Sequence, residues 1–256
     1  MSRWIRLLAG LAWASLLGMA IAQDRPPIVA AASDLKFAVT EIAARFEIDT
    51  GRKVNLNFGS SGNFVRQIQQ GAPFELFMSA DEDFVFKLAD AGLTRDRGAP
   101  YAVGRIVLYV PKGSKLKLDP ALKGLRSGWS EVHKLAIANP EHAPYGRAAE
   151  QALHSLALWE FAQPKLILGE NIAQTAQYVV SGGAEAGIIA LSLALAPELA
   201  RQGEHVLLPD HLHQPLRQRM VLTRGAGETA TAFYKYLQEP TARGILRKYG
   251  FVLPGE

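Results

Sequence analysis

The tightest constraint on how this chain folds is the run Ile28-Val29-Ala30-Ala31-Ala32 and its continuation Ser33-Asp34-Leu35. A short apolar segment ending in small residues suits a buried strand. Leu35, Ala38, Val39, Ile42 and Phe46 then recur at offsets of three and four, so they share one helical face, and Gly51 stops the pattern. Ser33 stands where an N-cap belongs, unless Asp34 takes that place. A strand that enters a helix through small residues leaves backbone N–H groups unpaired at the helix start, where the dipole also favours negative charge. Such a junction suits an anion.

The same device recurs along the chain. Val54–Phe58 alternates with period two, as a half-buried strand does, and runs into Gly59-Ser60-Ser61-Gly62-Asn63 and a short helix through Phe64, Val65 and Ile68. Phe74–Met78 is a third apolar run. The helix opened after it by Ser79-Ala80-Asp81-Glu82 starts with acidic residues, which suit the dipole but repel a second anion. Ile106–Val110, Leu135–Ala138, Lys165–Leu168, Ala186–Ala190 and Met220–Thr223 read as further strands. Leu135–Ala138 leads through Pro144-Tyr145-Gly146 into a helix marked by Ala149, Ala152, Leu153 and Leu156. Lys165–Leu168 leads through Gly169-Glu170-Asn171-Ile172 into another, and two short helices close the chain.

Strands alternating with helices predict α/β architecture with mainly parallel sheets, in which ligands collect at the carboxyl ends of strands. Four helix starts then qualify together as an anion site: Ser33, Ser61, Pro144-Tyr145 and Glu170-Asn171-Ile172. Taken singly, each is an ordinary cap. Tyr145 either packs or projects its hydroxyl into a cleft, and the residues around it leave both open.

Composition narrows the class. Arg3 and Arg6 precede a Leu- and Ala-rich run that ends in Ala20-Ile21-Ala22, the pattern of a secretory signal cleaved before Gln23. The uncharged stretch Leu7–Gln23 is 17 residues, at the short edge of the ~17–25 that span a bilayer, and its small-residue end favours cleavage over anchoring. The net charge of +4 (28 basic, 24 acidic) falls to +2 (26 and 24) once residues 1–22 are removed. Without a basic block this gives no support to nucleic-acid binding. There is no cysteine, so an exported chain of this kind relies on its core rather than on disulfides, and it carries no N-terminal Cys for a lipid anchor. A Gram-negative periplasm is the expected compartment.

Other chemistries fit less well. Gly59-Ser60-Ser61-Gly62-Asn63 departs from the G-x-S-x-G nucleophile elbow at Asn63, and no histidine is spaced to serve Ser61 as a base. No nucleotide P-loop occurs. His211-Leu212-His213 beside Asp210 lacks a further nearby ligand and reads as a polar surface loop rather than a metal site.

Several segments, in order along nearly the whole mature chain, resemble the periplasmic molybdate-binding proteins of ABC uptake systems. They are Ala30-Ala31-Ala32-Ser33, Phe58-Gly59-Ser60-Ser61, Ile68-Gln69-Gln70-Gly71-Ala72-Pro73, Leu76-Phe77-Met78-Ser79-Ala80-Asp81, Asn139-Pro140-Glu141-His142, Gly169-Glu170-Asn171-Ile172 and Lys248-Tyr249-Gly250-Phe251. The resemblance implies the two-lobed periplasmic-binding-protein fold of type II with a cleft between lobes. The expected division is a signal peptide over 1–22, a first lobe over 23–105, a second over 106–218 and a return to the first over 219–256. It also implies a monomer that needs no cofactor, catalyses nothing, and delivers molybdate, and tungstate too, to a membrane permease driven by an ATPase.

By position, Ser33 and Ser61 would donate hydroxyl and backbone N–H bonds, and Ile172 its backbone N–H. Tyr145 falls where some members have Ala and others Tyr. Another branch carries that Tyr on a later strand, where this chain has Ala190, so Tyr145 is expected to replace that donor. Asp34 departs from the family's usual Leu or Thr. Either its side chain turns away and only its N–H faces the ion, or the ligand is phosphate, whose proton needs an acceptor. A phosphate or sulfate carrier, and a periplasmic enzyme using Ser61 or the His211/His213 loop, are the competing expectations.

Overall fold

The computed structural model describes residues 25–256; the expected signal peptide over 1–22 lies outside the described residues. Strand β1 (Ile28–Ala32) is buried on both faces beyond its first residue, which is why it reads as an uninterrupted apolar run. It pairs in parallel with β2 (Asn55–Gly59) on one side and β3 (Phe74–Ser79) on the other. Strand β4 (Ala99–Gly104) ends this sheet, and β5 (Ile106–Pro111) begins a second one after the single residue Arg105. In the second sheet β6 (Leu135–Ala138) pairs in parallel with β7 (Leu166–Gly169) and β8 (Ala186–Ala190). Strand β5 runs antiparallel between β8 and β9 (Gly203–Leu207), and β10 (Leu216–Leu222) returns to run antiparallel between β3 and β4.

The sheet orders β2-β1-β3-β10-β4 and β7-β6-β8-β5-β9 therefore follow one plan: three parallel strands, then two antiparallel to their neighbours. The sheets are mixed, with one strand in each running against the other four, because the strand by which the chain enters each sheet from the other lobe runs in the opposite direction. Each sheet with its flanking helices is one lobe of a type II periplasmic-binding-protein fold, and the chain crosses between them twice.

Leu216, Arg217 and Gln218, expected in the second lobe, already belong to the first sheet. The alternation of buried Leu216, Gln218 and Met220 with solvent-facing Arg217 starts the strand ahead of Arg219, and the polar Gln218 at an inward position hides it from an apolar pattern. Strands β4 and β9 do not stand out in the sequence either. Both are sheet-edge strands, β9 with no apolar run before Val206 and β4 holding Pro100 beside a register shift against Gln218/Arg219, a place where a missing N–H is tolerated.

The helix Lys36–Thr50 buries Ala38, Val39, Ile42 and Phe46 as the spacing requires. Phe46 meets the rings of Phe233 and Tyr236 edge-on at 5.1 and 5.3 Å, tying the first helix to the returning C-terminal segment. Gly51 ends the helix in the left-handed region at φ 71°. Gly51→Ala is expected to cost about 1 kcal/mol, read as a lower urea midpoint with unchanged slope.

Candidate functional site

Residues that end or follow β1, β2, β3, β6 and β7 line one small cleft between the two sheets. Ser33, Asp34, Ser61, Tyr145 and Ile172 all stand on it. A larger cleft nearby, lined by Asp81, Glu82, Asp83, Arg147 and Arg217, carries both signs of charge and lacks such a convergence of helix starts. Size therefore does not single out the site; the donors do.

Ser33 is buried and opens a 3-10 turn, Ser33–Leu35, ahead of the long helix rather than the helix itself. Its Oγ accepts the N–H of Ala173 from the opposite lobe at 3.3 Å. Ser61, the first residue of the helix Ser61–Gln69, is fully buried, and its Oγ accepts the N–H of Ala80 at 3.0 Å. Each hydroxyl oxygen is already an acceptor, which leaves its proton for the cleft. The Ser60 side chain does not cap the Ser61 helix. Its Oγ lies 3.0 Å from His142 Nδ1 instead, and Gly62 N–H goes to the His142 carbonyl at 3.0 Å, so the Ser61 amide remains uncapped.

On the second lobe, Asn171 caps the helix Ile172–Val180 by accepting from Ala173 and Gln174 at 3.0 and 3.1 Å. The Ile172 N–H is the amide of that turn which the cap passes over. The cleft lining includes no Lys or Arg; what it offers is hydroxyl and amide hydrogen.

Asp34 and Tyr145 do not present themselves as two separate groups. Tyr145 Oη donates to Asp34 Oδ2 at 3.0 Å, and Gln218 Nε2 donates both to Asp34 Oδ2 at 2.7 Å and to Tyr145 Oη at 3.1 Å. All three members of this trio are buried, and Gly104 makes room for it, since a Cβ there would lie 2.2 Å from Tyr145 Oη. Burial pushes the Asp34 carboxyl up to about 6, against the lowering effect of Gln218, Tyr145 and the nearby amides of Asp34 and Leu35. Burial, and then the Asp34 charge, raise the Tyr145 hydroxyl well above its ordinary range. In this arrangement the Tyr145 proton points at Asp34, and the Asp34 side chain is drawn toward Tyr145 and Gln218.

A second set of contacts ties the lobes at the rim. Asn63 donates to Glu170 and Arg147 pairs with Asp81 across the lobes, while within the second lobe His142 Nε2 lies 3.5 Å from Glu170 Oε2. Sequence reasoning missed Ser60, His142 and Gln218 as members of this region, and placed Glu170 at a candidate helix start without its contact to Asn63. Only Gln218 carried a local signal, a polar residue in phase with inward Leu216 and Met220. His142 serves Ser60, not Ser61, so the serine considered as a nucleophile has no imidazole beside it. His211 and His213 lie away from the cleft, and among the described residues no cluster of three or more metal-ligating side chains occurs.

The family described as "Bacterial extracellular solute-binding protein" matches residues 28–252, almost all of the described chain. The chain belongs to this family. This solute-binding protein is 38% identical over 251 residues to the molybdate-binding protein ModA of Azotobacter vinelandii, with 97% of each chain covered. It is 34% identical to ModA of Rhodobacter capsulatus over 94% of each chain. Its fold matches the structure of the Azotobacter vinelandii periplasmic molybdate-binding protein with a TM-score of 0.82 and 31% identity, covering 89% of this chain and 99% of that one. Members of such a family bind and release a solute, which accords with a cleft built from hydrogen-bond donors and lobes that meet over it.

Proposed function

We propose that this protein captures molybdate, and tungstate with it, in the periplasm and hands it to a membrane permease driven by an ATPase, acting as a monomer without a cofactor. The observation that carries the reading is the convergence of the Ser33 and Ser61 hydroxyls with the Ser61 and Ile172 amides on one cleft whose lining has no Lys or Arg. An unprotonated tetrahedral oxyanion is acceptor-only, so uncharged donors satisfy it completely. Hydrogen bonds to a charged group contribute about 1.5–3 kcal/mol each, and several from two closing lobes support tight binding after the cost of closure. The ModA relatives, by their names, take molybdate.

One observation favours a second reading. The buried carboxylate of Asp34 has an oxygen, Oδ1, with no hydrogen-bond partner, and hydrogen phosphate would supply a proton to it. Calorimetric titration with molybdate, tungstate, sulfate and phosphate at pH 7.5 separates the two. Molybdate and tungstate are expected to bind at least about tenfold more tightly than sulfate or phosphate. Tighter phosphate binding would overturn the assignment, and silence with all four ions would overturn oxyanion capture altogether.

A further inference from the structure

We propose that closing over a doubly charged oxyanion draws one proton from solvent onto Asp34, and that this proton turns the Tyr145 hydroxyl from the carboxylate to the ion. The inference rests on the oxyanion reading above and names a linkage that reading does not contain.

The hydrogens of the buried trio do not suffice. Tyr145 has one polar hydrogen and the Gln218 amide two, and the three bonds among Asp34, Tyr145 and Gln218 account for all of them. Asp34 Oδ1 and Gln218 Oε1 remain buried without a donor. Two orphaned acceptors in one closed cluster are costly, and they mark a buried carboxylate whose charge its neighbours do not fully satisfy. Nothing cationic compensates the charge. From the Pro144–Ser155 helix Asp34 faces Tyr145; Arg147 of that helix is paired with Asp81. From β4 it faces Tyr101, whose hydroxyl donates to the Ser79 carbonyl and whose ionisation is opposed by burial and by Asp34. From β10 it faces neutral Gln218, while Arg217 and Arg219 reach Glu82. From the short helix Leu191–Ala194 it faces Ser192, whose hydroxyl donates to the Asp34 carbonyl at 2.7 Å.

A dianion placed on the same cleft adds like charge to an uncompensated carboxylate and raises its affinity for a proton further. Once protonated, the carboxyl donates to the Tyr145 oxygen, which keeps its bond from Gln218 and releases its own O–H toward the cleft that Tyr145 lines. Asp34 then no longer repels the ion. Tyr145 becomes a donor only in the protonated state.

The sign follows from the two states of Asp34. With the lobes apart, water reaches the carboxyl and its pKa falls toward the ordinary value of about 3.9; in the closed protein it is about 6 before any ion is added. The closed, loaded form therefore binds more protons, and affinity rises as pH falls. From pH 8 to pH 5.5 molybdate is expected to bind about fourfold more tightly or better, with uptake of about half a proton or more per ion at pH 6. The experiment is calorimetry of the mature protein with micromolar molybdate, a dianion throughout this range, in MES and in Bis-Tris, whose ionisation heats differ. An infrared difference spectrum of the wild type on adding molybdate is expected to gain a protonated-carboxyl C=O band. In Asp34→Asn, an isostere of the neutral acid, the uptake and the band disappear and affinity changes less than twofold over the same pH range. Molybdate binding with no proton uptake and no carboxyl band in the wild type overturns the linkage while leaving oxyanion capture intact. Uptake that persists in Asp34→Asn also overturns it, by moving the proton to another group. No molybdate binding at any pH overturns both.

Discussion

Ser33→Ala combined with Ser61→Ala is expected to weaken molybdate binding by about 10²–10⁴-fold, since two charge-assisted hydrogen bonds of about 1.5–3 kcal/mol each are lost together. The two hydroxyls sit at the starts of different helices on the first lobe, and both use their oxygen to accept a backbone N–H, from Ala173 in one case and Ala80 in the other. That second role separates binding from folding. Removing the Ser61 oxygen strips the buried Ala80 amide of its acceptor, so the ligand-free double variant is expected to unfold at a lower temperature by an amount worth about 1–3 kcal/mol. The Ala173 amide is less exposed to loss, because Asn171 Oδ1 accepts from it as well at 3.0 Å. Each single variant therefore has its own signature: Ser33→Ala loses affinity with little change in melting, and Ser61→Ala loses both. Titration calorimetry with thermal unfolding of the ligand-free proteins reads the two effects. Affinity within threefold of the wild type in the double variant would show that the hydroxyls do not hold the ion.

Much of this site can be read from local pattern, and the part that cannot has a common cause. Strand-to-helix junctions are local, and each of Ser33, Ser61, Tyr145 and Ile172 follows an apolar or alternating strand pattern that marks it. The buried strands β1, β5, β6 and β8 declare themselves because both faces are apolar. Edge strands β4 and β9 are held by pairing to a neighbour far along the chain, so their own residues say little. The same holds for side chains whose meaning is relational. Asp34 looks like a helix-start acid until Tyr145, 111 residues later, and Gln218, 184 residues later, are found on its carboxylate. His142 looks like part of a loop until its ring is found against Ser60 and its carbonyl against Gly62, 82 and 80 residues earlier. Spacing along a chain carries the period of a helix or a strand, and nothing in it encodes which two distant turns will face each other.

Gly62→Val is expected to hold the lobes apart and to weaken molybdate binding on the order of a hundredfold, without touching any group that contacts the ion. Gly62 is the second residue of the Ser61–Gln69 helix, and its N–H donates to the His142 carbonyl across the cleft at 3.0 Å. A Cβ at that position would stand 2.7 Å from the same carbonyl oxygen and 3.0 Å from His142 Cα. Those are backbone atoms, so no rotamer change relieves the contact, and the two helix starts must separate. Separation moves the Ile172 amide away from the hydroxyls of the first lobe and breaks the Ser60–His142 contact. Losing the second-lobe donors removes one or two charge-assisted bonds of about 1.5–3 kcal/mol each, hence the expected loss. The open protein contains no clash, because the contact exists only when the lobes meet, so ligand-free melting is expected to stay close to that of the wild type. Small-angle scattering supplies the decisive readout: molybdate should shrink the wild type's radius of gyration and leave that of Gly62→Val unchanged. Equal compaction and equal affinity in both would mean that the ion is gripped without the close approach at His142, and the two-lobe clamp would have to be abandoned.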